Sequence, residues 1–545
     1  MKLLYILIVV CSISCNTKTR VDLIVHHAVI YTVDNNFTIA EAMCVSKGKI
    51  VATGTNVNIL SRYTSDKITD ARGKSIYPGF IDAHAHFYGY ALSLQEVDLA
   101  GTKSWDECME RVKHFVKTKS IQSDQWVIGR GWDQNDWQDK SFPVKDRLDE
   151  AFPHNPILLS RIDGHAAIAN QAALNKAAVQ PGDTILGGVV EVNKNRLTGI
   201  LIDNAINRVS NIIPPPDMPF LKTAFTQAED NCFASGLTTV VDCGLLQKQV
   251  NQIDTLQRRG TLRMKLVVLL SDTPENFDHY LREGPYKTGR LNVNGFKLYA
   301  DGALGSRGAC LLQPYHDKPG WNGFLLSNTD HYEQVLKNIY NSPFQACTHA
   351  IGDSANRTIL KLYAGVLKNK NDRRWRIEHA QVVDSTDFKW FGQYSIIPSV
   401  QPTHATSDMY WAADRLGAGR IKAAYAYRQL LQQNNWIALG TDFPVEDISP
   451  FKTFYAAVVR KDAQHFPPHG FQIENALTKE EALKGMTIWA AKGSFEEKEK
   501  GSLETGKWAD FIITDTDIMQ CDPSDILKTK VQYTYVNGEK VYERE

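Results

Sequence analysis

Eight apolar, β-rich runs separated by helical patterns set the tightest limit on how this chain can fold. They are Gly79 to His86, Leu237 to Asp242, Leu262 to Leu270, Val293 to Ala300, Phe344 to His349, Trp375 to His379, Ser395 to Val400 and Trp436 to Asp442. Strands buried on both faces of a parallel sheet read as such near-continuous apolar runs, and their alternation with helices is the pattern of an α/β fold. Eight of them close into a (β/α)8 TIM barrel whose active site lies at the C-terminal strand ends. We therefore expect an α/β protein with this barrel over residues 79–490.

The first gap in the series is anomalous. About 150 residues separate His86 from Leu237, against roughly 30 for a simple βα unit. A long insertion with its own structure is expected after the first barrel strand, at about residues 90–216. It carries Gly129-Arg130-Gly131-Trp132-Asp133 and Asp163-Gly164-His165 and leaves through Pro214-Pro215-Pro216. Emerging beside the first strand, it is positioned to wall or cover the site.

Both ends of the chain read differently from the middle. Val21 to Val25, Ala40 to Val45, Gly48 to Ala52 and Ser75 to Tyr77 are short alternating runs broken by turn residues. So are Ala509 to Thr514 and Val531 to Val536, the latter followed by an Asn537-Gly538 hairpin turn. One small β-sandwich built from residues 16–78 and 491–545 is the expectation.

The chemistry sits where the barrel runs end. Pro78-Gly79-Phe80-Ile81-Asp82-Ala83-His84-Ala85-His86 ends the first run. Side chains alternate faces along a strand, so His84 and His86 point the same way. Two imidazoles on one face suit a transition metal, but two ligands alone do not make a site. The other runs complete it: Lys297 in the fourth, His349 ending the fifth, His379 the sixth and Asp442 the eighth. Lys297 lies between Phe296 and Leu298 in an apolar strand, an unusual setting for a surface lysine.

With these motifs in view the chain resembles the amidohydrolase superfamily, and within it the YtcJ-like group that includes N-substituted formamide deformylase. The motifs are Pro-Gly-Phe-Ile-Asp-x-His-x-His, Lys297 to Arg307, Thr348 to Asp353, Glu378-His379-Ala380-Gln381 and Gly440-Thr441-Asp442. The resemblance implies one divalent metal on His84, His86 and Asp442 and a second on His349 and His379. Carboxylated Lys297 would bridge them, zinc being the default ion and a single ion with unmodified lysine the alternative. Asp442 would serve as general base and then general acid for metal-bound hydroxide. His165, Arg307 and Tyr299 are candidate donors to the oxyanion, and Trp132, Tyr410 and Trp411 candidate walls for an apolar substrate. The implied activity is hydrolysis of a non-peptide C–N bond in an amide, N-acyl or N-formyl compound. Ester or lactone hydrolysis and deamination are alternatives on the same site, and a non-catalytic, metal-stabilised binding protein is the alternative of another class.

Sixty-one basic residues balance sixty-one acidic ones, which offers no attraction to nucleic acid. A small-molecule substrate is the expected partner, and two-fold self-association is the base-rate expectation. Lys2 followed by the apolar run Leu3 to Val10 and small residues before Cys15 reads as an export signal over residues 1–15. It resembles a bacterial lipoprotein leader, with Cys15 as lipid anchor and a periplasmic or membrane-anchored location; a conventional cleaved signal is the alternative. The nine cysteines show no framework spacing and read as small buried apolar residues.

Overall fold

The computed structural model describes residues 18–545; the leader expected over residues 1–15, with Cys15, lies outside them. Eight parallel strands form the central sheet in chain order. They are β1 Phe80–Ala85, β2 Leu237–Leu245, β3 Lys265–Ser271, β4 Leu291–Tyr299, β5 Gln345–Ala350, β6 Arg376–His379, β7 Ile397–Val400 and β8 Ala438–Leu439. The barrel closes between its last and first strands. Asp442 N donates to His84 O at 2.8 Å and His86 N to Phe443 O at 2.9 Å. The buried Asp82 carboxylate accepts from Thr441 N at 3.0 Å and Thr441 Oγ1 at 2.7 Å. Gly440 permits this approach, since a Cβ there would meet His84 N at 2.5 Å. A larger residue would hold open the seam that brings Asp442 against His84 and His86.

Continuous apolar strands need cover on their outer face, and amphipathic helices supply it. Met218–Ala234 begins at Asp217, whose side chain caps Phe220 N, and buries Leu221, Phe225, Cys232 and Phe233. Pro274–Glu283 and Thr329–Tyr340 start from Thr273 and Asn328 in the same way. No helix among the described residues is long and apolar enough to cross a membrane.

The terminal segments join as expected. Ser75–Pro78, from the N-terminal part, pairs antiparallel with Phe511–Thr514 from the C-terminal part, within a six-stranded sheet. A four-stranded sheet of N-terminal strands packs on it through a core that mixes Leu23, Val25, Met43, Phe511 and Ile513. The insertion has a six-stranded mixed sheet of its own. Its Val97–Asp98, Val127–Trp132 and Ile157–Arg161 run parallel, and Ala166–Ala169, Arg196–Asp203 and Gly188–Asn193 continue antiparallel. Trp132 is fully buried in that sheet's core, its Nε1 donating to Leu159 O at 2.8 Å. It therefore packs the insertion and does not wall the cavity.

Asp242, within β2, is buried and accepts from Tyr88 N at 2.9 Å, which ties β2 to the helix following β1. Burial pushes its carboxyl up to about 7. Folding thus favours the protonated acid: this contribution to stability is complete below the ordinary value near 3.8 and is lost as pH rises through about 7. Asp242→Asn should retain the hydrogen bond and flatten that dependence. Urea midpoints at pH 5 and pH 8 should therefore diverge less in the variant than in the wild type, and equal divergence would reject the assignment.

Candidate active site

The strand-end residues named from sequence meet at one barrel mouth. His84 is fully buried, and its Nδ1 lies 2.5 Å from Glu378 Oε2. Glu378 Oε1 in turn accepts from Arg376 Nε at 2.6 Å. His86 Nδ1 lies 3.1 Å from the Cys243 carbonyl. With both Nδ1 atoms engaged, the two Nε2 atoms are turned to the centre, the arrangement in which outer partners set the orientation of ligating imidazoles. There they meet Asp442 Oδ1 at 3.6 Å and 3.2 Å. Lys297 Nζ lies 3.2 Å from His84 Nε2.

His349 and His379 complete the cluster. Their rings are 4.5 Å apart, and His379 is 4.8 Å from His84. Behind His349, Nε2 is 3.6 Å from Asp301 Oδ1, and Asp301 is itself held by the backbone N–H groups of Cys310, Ile351 and Gly352. His379 and Asp442 leave their strands at φ 72° and 65°, a left-handed conformation that costs a non-glycine residue about 1–3 kcal/mol and tends to cluster at functional sites.

The electrostatics suit cation binding. Burial holds His84 down at about 4, helped by the Lys297 charge and opposed by Glu378. Burial likewise keeps His349 and His379 well below the ordinary histidine range. These imidazoles are neutral, as metal ligands must be. Burial opposes the Asp442 charge, yet the bond from His404 and the proximity of the His86 and His84 imidazoles hold its pKa well below the usual carboxylate range. Asp442 Oδ1 is buried with no hydrogen-bond partner among the described residues, and donor atoms of His84, His379 and Asp442 lie within 4.8 Å of one another. An ionised oxygen without a partner, facing neutral imidazole nitrogens, is a donor set that fits a divalent metal.

The site opens into a cavity of ≈ 260 Å³ shared between barrel and insertion. The insertion contributes Asp133, Arg161, Ile162, Asp163 and His165, and the barrel side adds Tyr299, Leu304, Gln381, His404, Trp411 and Glu446. His165 Nδ1 is held at 2.6 Å by Asp203 Oδ1, and its ring lies 5.1 Å from that of His349. Burial disfavours charge on His165, but the Asp203 bond together with the charges of Asp203, Asp163 and Asp301 outweighs it and raises its pKa. Asp203 occupies a slot that only glycines leave open: a Cβ at Gly302 or Gly308 would meet its Oδ2 at 2.4 or 2.5 Å.

Three residues proposed from sequence are not brought to the site. Arg307 turns away and pairs with Asp317 at 2.8 Å, because it lies beyond the end of β4 in a loop that folds back on itself. Trp132 lies in the insertion's core, and Tyr410 is exposed on the rim, stacked on Phe466. Trp411 does line the cavity. Sequence reasoning missed His404, whose Nε2 is 3.1 Å from Asp442 Oδ2. A single histidine two residues after Gln401-Pro402, in no paired motif, gave no signal. It also missed Glu446, which reaches the site from the segment after β8, and Asp203, which arrives at the end of the insertion strand Arg196–Asp203.

The comparisons with known proteins agree with this geometry. Residues 67–542 match the model of the amidohydrolase family. The chain is 32% identical to the Arabidopsis thaliana protein LONG AFTER FAR-RED 3 over 96% of its length and 91% of the relative's. It is 29% identical to the putative amidohydrolase YtcJ of Bacillus subtilis, covering 95% of this chain and 99% of that one. Identity to the N-substituted formamide deformylase of Arthrobacter pascens is 25%, over 96% and 98% of the two chains. An uncharacterised metal-dependent hydrolase from Pyrococcus horikoshii superposes with a TM-score of 0.75 at 26% identity, covering 92% of this chain and 99% of that one. With the barrel, the cluster of strand-end residues and a family match across most of its length, the chain belongs to the amidohydrolase family.

Proposed function

We propose that this metal-dependent hydrolase cleaves a non-peptide C–N bond in an amide, N-acyl or N-formyl compound. The observation that carries the reading is the buried, unpartnered Asp442 Oδ1 facing the Nε2 atoms of His84 and His86. His84, His86 and Asp442 would hold one ion, and His349 and His379 a second. Lys297, buried and beside His84, would bridge them once its ammonium gives up one proton and the free amine adds carbon dioxide and loses a second, which turns a cation without acceptors into an anion with two oxygens. A divalent ion bound there supplies Lewis acidity, polarising a carbonyl and bringing the pKa of water from about 15.7 toward 7.

The chain's own groups do the rest. Asp442, ionised at neutral pH, takes a proton from the attacking water and returns it to the leaving nitrogen. His165, fixed by Asp203, presents its other ring nitrogen to the cavity and donates to the oxygen on which negative charge develops. The insertion covers the barrel mouth and limits water around the reacting carbonyl, and Ile162, Leu304 and Trp411 offer apolar surface to the substrate's N-substituent. The similarity to the relative named as an N-substituted formamide deformylase supports a formyl or other small acyl group on nitrogen as the reading for this chain.

A panel of N-alkyl and N-aryl formamides, N-acetyl amines and matched esters, assayed with the zinc-loaded protein, tests this. Release of amine from the formamides or acetamides is expected. Turnover of esters alone, or of nothing in the panel, would overturn it.

A further inference from the structure

We propose that His404 is the positioning residue for Asp442, an inference that rests on the metal-site reading above. A carboxylate's terminal torsion is broad and two-fold, so without an external hold the two oxygens of Asp442 exchange freely. The backbone cannot provide that hold, because β8 is only two residues long and Asp442 lies three residues past its end. His404 provides it. It sits in the first turn of Pro402–Asp408, the helix that starts directly after β7. Its Nε2 is 3.1 Å from Asp442 Oδ2, which leaves Oδ1 as the oxygen presented to His84 and His86. The far side of the ring is backed by Glu446, Oε1 lying 3.5 Å from Nδ1, and Ser407 Oγ anchors that carboxylate at 2.5 Å. The chain Ser407–Glu446–His404–Asp442 thus runs from the cavity rim to the base, and each member bears on the rotation of the next. His404 works on the reaction only through Asp442.

The test uses full-length protein loaded with cobalt(II), whose visible absorption reports the geometry and number of its ligands, together with kcat and KM on the best formamide of the panel. His404→Ala should alter the band positions and intensities and lower kcat by about 10–100-fold, with KM within twofold. His404→Gln, which returns an N–H donor at similar reach, should restore the wild-type spectrum and most of kcat. Circular dichroism and melting checks that both variants fold. An alanine variant with the wild-type cobalt spectrum would overturn the inference while leaving the metal site standing, and so would a glutamine variant as altered as the alanine one. Wild-type protein that takes up no cobalt would overturn the metal-site reading, and this inference with it.

Discussion

Asp442→Asn should cost about 10²–10⁴ in kcat, the range for a positioned general acid–base group, and leave the fold and most of the metal content intact. An amide keeps the shape of the carboxylate and can still meet His404 at 3.1 Å. It cannot accept a proton at neutral pH, so water loses its base and the leaving nitrogen its acid. His84, His86, His349, His379 and Lys297 are untouched by the change and retain the donor set. Steady-state kinetics beside metal analysis of the same sample separates the two effects. A variant with near-wild-type kcat would show that the proton passes elsewhere.

Glu378→Gln should destabilise the protein by about 3–5 kcal/mol, the usual cost of stranding one partner of a buried ion pair. Glu378, Arg376 and His84 are all fully buried. The Glu378 carboxylate is held far below its ordinary range: burial opposes the charge, but Arg376 and His84 more than compensate. Glutamine fills the same space without the charge. Its one amide oxygen can still accept from Arg376 Nε, whose other acceptor is the Ala83 carbonyl at 3.3 Å and whose Nη1 already lacks a partner, but its NH2 group then faces His84 Nδ1. His84 would lose the acceptor that orients its ring, and metal affinity should fall by about 10–100-fold. Urea denaturation of metal-free protein isolates the first effect, and competition with a chelator measures the second. A stability loss under about 1 kcal/mol would contradict the ion-pair account.

The barrel was legible in the sequence because buried parallel strands leave uninterrupted apolar runs, and the six residues that meet at its mouth were legible because strand ends place them predictably. His84 and His86 share a face by strand period alone, and Lys297 stood out as a cation inside an apolar run. What escaped was delivered by loops and turns, where sequence spacing carries no geometry. His404 belongs to a short helix after β7, Glu446 to the segment after β8, and Asp203 reaches His165 only through the strand pairing of the insertion, where His165 and Asp203 lie 38 residues apart. Arg307 was misjudged for the same reason. It closes the Lys297 to Arg307 motif of the family resemblance, but the loop beyond β4 turns it to Asp317. The insertion's length announced a separate structure, while its six-stranded sheet was hidden by short strands such as Val97–Asp98.

The most direct test of the account is metal content per chain on protein purified without added metal, with the intact mass of the same sample taken under gentle ionisation to preserve an acid-labile carbamate. Two divalent ions per chain and one added carbon dioxide on Lys297 are the expected result. Protein that holds no metal, even after reconstitution with zinc, would contradict it.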